Sequence, residues 1–178
     1  MNKPKKIEVT VRGIASLLQH RFPEEAHPEV VSKKRKKVYN DMDDAEESLY
    51  KNTEGVICQP AKHFESAMIK AATAFTLEGK KTYKDAFKGG IFVNPSLIPH
   101  KFQKWELDRQ PVIIGRARIM RARPRFDEWE LDFEIEIIDD RISTDVVKEV
   151  LAYAGLYCGV GDVRPRYGRF EIIKFNEI

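Results

Sequence analysis

Residues 143–175 read STDVVKEVLAYAGLYCGVGDVRPRYGRFEIIKF, a stretch that predicts a helix, a glycine-rich loop and a strand in succession. Ser143 is a favourable N-cap, and Asp145 suits the positive end of the helix dipole. One face of the helix is then apolar, with Val146, Val147, Val150, Leu151 and Ala154. The loop runs from Gly159 to Phe170, and Arg169 to Phe175 is predicted to form the last strand.

A first strand and a first helix are predicted from periodicity. Ile7 to Arg12 alternates apolar with polar residues, and a period of two is typical of a half-buried strand. Pro60 suits the first turn of a helix that runs to about Phe75. Three- and four-residue spacing predicts one buried face, formed by Phe64, Ala67, Met68, Ala71, Ala72 and Phe75. A short strand, Ile91 to Val93, follows two glycines.

Two more strands are predicted to form a long hairpin, Val112 to Arg123 and Glu128 to Ile138. In the second strand the inward residues are Trp129, Leu131, Phe133, Ile135 and Ile137, and the outward residues are Glu130, Asp132, Glu134 and Glu136. Arg116 and Arg118 of the first strand are expected to pair with these acids across the sheet.

The order of the strong elements is strand, helix, strand, strand, helix, strand. This order is that of an α+β, ferredoxin-like (RRM-like) fold, an antiparallel sheet with two packed helices. A chain of 178 residues is predicted to form a single domain over residues 1–178. Residues 20–52 are polar and contain Pro23 and Pro28, so we expect a long inserted arm after the first strand.

Charge is unevenly distributed along a chain whose net charge is only +3. The basic run Lys33, Lys34, Arg35, Lys36 and Lys37 precedes an acidic block, and further arginines cluster near the C-terminus. Such asymmetry favours a basic face for a polyanion. Cys58 and Cys158 are far apart and are predicted to be buried free thiols. Residues 1–6 lack the apolar stretch of a signal peptide, and no apolar run approaches ~20 residues, so we expect a cytoplasmic protein without a membrane partner.

The loop from Gly159 to Phe170 is the main candidate binding site. Glycines let the backbone turn sharply, and exposed amides there can hold phosphate oxygens. Arg164 and Arg166 bracket Pro165 and offer planar donors to phosphate, while Tyr167 can stack on a base. The alternative is a helix C-cap followed by an ordinary solvated connection. Three arginines and a tyrosine within six residues favour binding.

None of the four histidines, His20, His27, His63 and His100, has metal-ligand spacing, so we expect no metal and no cofactor. His20, followed by Arg21, can act in principle as a general base beside a phosphate. The pair Gly159 and Gly161 follows a helix rather than a strand, which excludes a dinucleotide-binding fingerprint.

Three stretches resemble the RAMP superfamily of CRISPR-associated proteins. They are the loop from Gly159 to Phe170, the segment GVICQPAKHFESAMIKAA at 55–72, and DAEESLY at 44–50. The resemblance is closest to the backbone subunits that bind guide RNA in CRISPR effector complexes, and a minimal or virus-borne relative fits as well. Lys62, His63 and Glu65 depart from the residues that are usual in the family.

The resemblance implies sequence-tolerant binding of single-stranded RNA through its phosphates, by several copies side by side with other subunits of a ribonucleoprotein. The loop and the helix start at Lys62 and His63 would contact the strand, and the arm would clamp it or reach a neighbour. The candidate residues are Arg12, His20, Arg21, Lys33, Lys34, Arg35, Lys36, Lys37, Lys62, His63, Gly159, Gly161, Arg164, Arg166, Tyr167, Gly168 and Arg169.

Two alternatives to a non-catalytic RNA-binding subunit stay open. One is a metal-independent endoribonuclease that processes precursor RNA, with His20 as general base and a nearby lysine or arginine stabilising the transition state. The other is a viral interaction protein that mimics or blocks such a complex, which the acidic block and the long arm allow.

Overall fold

The computed structural model describes residues 4–22 and 40–178. Within these ranges the fold is mixed α/β, with four α-helices and several antiparallel sheets. The strands are β1 (Lys5–Gly13), β2 (Leu17–Leu18), β3 (Cys58–Pro60), β4 (Thr76–Glu78), β5 (Lys81–Thr82), β6 (Ile91–Asn94), β7 (Leu97–Pro99), β8 (Glu106–Ile114), β9 (Ala117–Phe126), β10 (Glu130–Ile137) and β11 (Phe170–Glu177).

The α-helices are α1 (Asp41–Glu47), α2 (Ala61–Ala71), α3 (Lys84–Gly90) and α4 (Thr144–Tyr153). A 3-10 turn, Ala72–Ala74, extends α2, and a π-helical turn, Ala154–Cys158, extends α4. The side chain of Ser143 caps α4 by accepting a hydrogen bond from the backbone N–H of Val146 at 3.3 Å, which confirms the predicted N-cap. In the described part of the chain, no helix is both long and apolar enough to cross a bilayer.

The main sheet has four antiparallel strands in the order β11-β1-β10-β6. The register pairs apolar residues with apolar residues across the two central strands, β1 and β10: Ile7 lies opposite Ile135, and Val9 lies opposite Phe133. These side chains are buried, because each strand alternates one covered face with one open face. The predicted inward residues of β10 are all buried, and that part of the prediction is confirmed.

The helices α2 and α4 contact each other and the main sheet through one apolar core. Phe64 of α2 lies at its centre: its ring centroid is 4.7 Å from that of Phe133 and 5.4 Å from that of Phe170. Most of the residues predicted for the apolar faces of both helices are buried, whereas Phe75 and Val146 are half-buried. Cys58 and Cys158 are both buried and free, as predicted.

The predicted hairpin between Val112–Arg123 and Glu128–Ile138 is wrong. β9 instead pairs with β8, and the two form a three-stranded sheet with β2, while β10 pairs with β1 and β6. The chain reverses at residues 115 and 116, where Gly115 has φ +61° and supplies the left-handed conformation that a tight hairpin requires. A local turn therefore determines the pairing, and β6 takes the place in the main sheet that the prediction gave to Val112–Arg123.

The acids of β10 consequently have other partners than Arg116 and Arg118, and that prediction is also wrong. Glu130 pairs with Arg12 at 3.0 Å and with Lys101 at 2.6 Å. Thr10 donates a hydrogen bond to Asp132 at 2.6 Å. Three further ion pairs lie on this same open face of the sheet, Lys101–Asp132, Lys6–Glu134 and Lys174–Glu8. The face opposite the helices is thus covered by paired charges.

Part of the predicted arm is described. Asn40 caps α1, which lies within the predicted arm and ends at Glu47. This helix packs against β8 and β9, and Nε of Arg109 lies 2.7 Å from a carboxylate oxygen of Asp41. The basic run Lys33–Lys37 falls outside the described residues.

Candidate nucleic-acid interface

The loop between α4 and β11 is fixed by backbone hydrogen bonds to the segment that follows β1. The N–H of Asp162 donates to the carbonyl of Leu18 at 2.8 Å, and the N–H of Gly168 donates to that of Ser16 at 2.8 Å. Within the loop, the N–H of Val160 donates to the carbonyl of Gly168 at 2.9 Å. The loop is therefore a formed element rather than a solvated connection. Because it is already ordered in the folded chain, a ligand does not have to supply the conformational entropy of ordering it.

Two glycines make this close docking possible. Gly161 and Gly168 have φ +79° and +73°, a region that side-chain-bearing residues rarely adopt. A Cβ atom at Gly161 would overlap the carbonyl of Leu18, and one at Gly168 would overlap the carbonyl of Val160. The glycines set the shape of the loop, as the sequence predicts.

Polar side chains tie the loop to the β8–β9 hairpin. A carboxylate oxygen of Asp162 lies 2.7 Å from Nε of Arg123, whose side chain is only 5% exposed. The amide of Gln110 donates a hydrogen bond to the hydroxyl of Tyr167 at 2.8 Å. Asp162, the one acid in the loop sequence, is paired with a buried arginine, so it does not neutralise the loop's own arginines.

The arginines of the described residues differ in whether a carboxylate neutralises them. Arg12, Arg109, Arg123, Arg125 and Arg141 each have a carboxylate partner. Arg164, Arg166 and Arg169 are exposed, and within residues 4–22 and 40–178 none of them has a carboxylate at ion-pair distance. Their charge is therefore available to an external anion, and Arg side chains bind phosphate in a bidentate manner.

The first turn of α2 lies beside Arg164. Burial, followed by the positive charge of Arg164, lowers the pKa of His63 to about 4. The amide of Gln59 contacts Nδ1 of His63 at 2.6 Å, and the ring of Tyr50 meets the imidazole edge-on at 5.5 Å. His63 is therefore neutral at pH 7 and held in place, while Lys62 is exposed.

His20 and Arg21 also lie close to the loop. Nδ1 of His20 is 3.9 Å from a carboxylate oxygen of Asp162. Burial lowers the pKa of His20, as does the charge of Arg121, against the opposing effect of Asp162. The backbone N–H of Arg21 donates to the carbonyl of Ser48 at 2.9 Å. The imidazole of His20 therefore lies next to Asp162, which belongs to the loop.

The structure therefore brings most of the candidate residues together. Near the loop lie His20, Arg21 and the start of α2. Arg164 of the loop is close enough to His63 for its positive charge to lower the pKa of that imidazole. Arg12 is an exception, because it points to the open face of the sheet and pairs with Glu130.

A buried polar network next to this interface was not predicted. The side-chain amide of Gln19 donates to the carbonyl of Cys58 at 2.8 Å and to the amide oxygen of Gln59 at 2.9 Å. It also lies 3.3 Å from Nε2 of His100. This network fixes the segment after β1 against the start of α2, and isolated glutamines in the sequence give no signal for it.

The basic hairpin was also missed as part of the site, although a signal was present. Arg121, Arg123 and Arg125 alternate along β9, which places them on one face of that strand. Arg123 reaches Asp162, and the charge of Arg121 acts on His20. Within the described ranges, no three His, Cys, Asp or Glu side chains are grouped as a metal site requires.

No family model matches the sequence, and no curated protein matches it. The fold is similar to that of a chain in the cryo-EM structure of the Type III-B Cmr-beta bound to cognate target RNA, with a TM-score of 0.61 and 8% sequence identity. The match covers 99% of this chain and 61% of that chain, so this chain spans less than two thirds of its neighbour's length. At this identity the likeness is one of fold.

Proposed function

We propose that this chain is a non-catalytic subunit that binds single-stranded RNA through its phosphates, in several copies, within a CRISPR-type effector complex. The observation that carries the proposal is the set of three exposed arginines, Arg164, Arg166 and Arg169, on a loop fixed by backbone hydrogen bonds. A rigid basic loop of this kind binds a polyanion without reading its sequence.

The finer description of the fold belongs to the same proposal. We infer a ferredoxin-like arrangement, because β1, α2, β6, β10, α4 and β11 follow one another along the chain and the sheet order is β11-β1-β10-β6. This order, together with the fold likeness to a chain of an RNA-bound Cmr structure, supports the relation to RAMP proteins that the sequence motifs suggest.

Binding is proposed at the loop edge rather than on the open face of the main sheet. Acids on that face outnumber the cations within reach, and ion pairs occupy Glu8, Glu130, Asp132 and Glu134. A phosphate backbone is repelled by carboxylates and would have to displace existing pairs there. Around the loop, in contrast, Lys62, Arg21 and the three exposed arginines of the loop present positive charge.

The proposal does not include cleavage by His20. Burial lowers the pKa of His20, and its Nδ1 is buried without a hydrogen-bond partner within the described residues. A catalytic imidazole is usually oriented by a hydrogen bond to the nitrogen that does not take the proton, and Nδ1 of His20 has no such bond there.

The test of this function is the double substitution Arg164→Ala/Arg166→Ala. We expect the affinity for a fluorescent single-stranded RNA to fall roughly 10- to 100-fold at low salt, because two charge-assisted phosphate contacts are lost. The slope of log K against log salt should become shallower by about 1.4, at ~0.7 per phosphate contact on a single strand. Fluorescence anisotropy at several salt concentrations measures both quantities.

A control with the same change of charge is Lys80→Ala/Lys81→Ala. These lysines are exposed around the turn from β4 to β5, beyond the C-terminal end of α2, whereas the loop lies at its N-terminal end. The control should bind like the native chain. Equal affinity of the Arg164→Ala/Arg166→Ala variant and the native chain would remove the loop from the binding site.

A further inference from the structure

A depression of about 730 Å³ lies beside the loop. It is lined by Leu156, Tyr157, Pro165, Arg166, Tyr167 and Arg169, together with two small residues of the segment after β1. A cavity of this size falls within the range of about 300–1,000 Å³ that accommodates small organic ligands.

The π-helical turn determines which residues face this depression. Val147, Val150, Leu151 and Ala154 form the buried stripe of α4, and continued α-helical spacing would carry Tyr157 to the border of that stripe. The wider turn, closed by the Gly159 N–H to Ala154 carbonyl hydrogen bond at 2.8 Å, rotates Tyr157 outward. Tyr157 is 61% exposed and Leu156 is 48% exposed.

The ring of Tyr157 contacts another aromatic ring but is still largely exposed to solvent. Its centroid lies 4.5 Å from that of Tyr153, with the planes tilted by 41°, and Tyr153 in turn meets Phe75 edge-on at 5.7 Å. The position of the ring is therefore fixed by other aromatic rings. A fixed aromatic face costs little conformational entropy when a second planar ring stacks on it.

Charge around the depression identifies the occupant. Arg166 and Arg169 line it, and within residues 4–22 and 40–178 neither has a carboxylate partner. An exposed aromatic ring in the same depression as two exposed arginines fits a ligand that is itself a planar ring flanked by negative charges. A nucleotide within a single strand has this chemistry, because its base stacks while its phosphates pair with arginine.

We propose that the Tyr157 depression receives one unstacked base of the bound RNA, with the ring of Tyr157 as its stacking platform and with Arg166 and Arg169 on the adjacent phosphates. The inference rests on the proposed function, since it requires the strand to cross the loop. Arg164 does not line the depression and acts instead on His63, so the loop offers the strand a second position there.

The test compares Tyr157→Leu with the native chain. Loss of the stacking ring should lower the affinity for single-stranded RNA roughly 10-fold, while the salt slope should stay the same because phosphate contacts remain. Tyr157→Phe keeps the ring and should restore most of the lost affinity. For an abasic strand of equal length, the native chain and Tyr157→Leu should bind equally.

The control is Phe92→Leu, because Phe92 is an exposed aromatic residue of β6, 43% exposed, outside the loop interface. It should bind RNA like the native chain. Unchanged RNA binding by Tyr157→Leu would overturn the stacking platform but leave the proposed function intact. A changed oligomeric state in sedimentation, without a change in RNA affinity, would assign the depression to a protein contact. Failure of the native chain to bind any single strand would instead overturn the proposed function.

Discussion

Replacement of Gly168 by alanine should lower the free energy of unfolding by about 3–5 kcal/mol, a loss typical of the severe class of single substitutions. The new Cβ would overlap the carbonyl of Val160 and would also be held at φ +73°. Relief of this overlap breaks the hydrogen bond between Val160 and Gly168 and separates the loop from Ser16. Chemical denaturation followed by circular dichroism measures the loss.

Gly79→Ala is the matched control for backbone strain. Gly79 also has a positive φ, +55°, but an added Cβ would meet no atom within 4 Å. Only the cost of the left-handed conformation remains, about 1–2 kcal/mol. The difference between the two variants isolates the close approach at the loop. Equal losses in both would contradict the docking of the loop described above.

Acidification should destabilise the chain well above the range in which carboxylates titrate. Burial lowers the pKa of His100 to about 4, and burial with the charge of Arg164 lowers that of His63 to about 4. In the unfolded chain both imidazoles bind protons near pH 6.5. Between these values the unfolded state binds more protons, so the stability that is fully present above pH 6.5 decreases as the pH falls towards 4.

The magnitude is up to about 3 kcal/mol for each imidazole, from a pKa difference of roughly two and a half units. Urea denaturation at several pH values between about 7 and 4 measures the slope. In His100→Gln the slope should be clearly smaller than in the native chain, with the remainder coming from His63 and His20. A native stability that does not change over this pH range would contradict the burial of both imidazoles.

The elements that the sequence predicts best are those with uninterrupted periodicity. Trp129, Leu131 and Phe133 alternate with charged residues, and every one of the inward positions of that strand is buried. The face of α2 follows similarly from Phe64 and Met68. In both cases the side-chain period depends only on the local conformation, so a single chain segment carries the information.

Pairing partners are predicted less well, because alternation within a strand does not specify its neighbour. The acids of β10 were assigned to Arg116 and Arg118, but the tight turn at Gly115 commits β9 to β8. Gly115 follows an apolar run, Val112 to Ile114, and was the one local signal for that turn. The pairs of Arg12, Lys6 and Lys101 with β10 depend on long-range contacts.

The candidate site was predictable only in the features that depend on local sequence. Glycine spacing in the loop indicates sharp turns, and the arginines indicate a phosphate ligand. The backbone of Leu18 and Ser16 as the docking partner, and Arg123 as the partner of Asp162, arise only from the folded chain. Tyr153 and Tyr157 lie four residues apart before the loop, a spacing that places two aromatic rings on neighbouring turns of a helix.

Photochemical cross-linking of the native chain to single-stranded RNA carrying 4-thiouridine, followed by peptide mass spectrometry, tests the central claim most directly. We expect cross-links in the segment from Tyr153 to Arg169 and at the start of α2 around Lys62, because these residues surround the basic loop. Cross-links confined to the open face of the main sheet, on β1 and β10, would contradict the proposed interface.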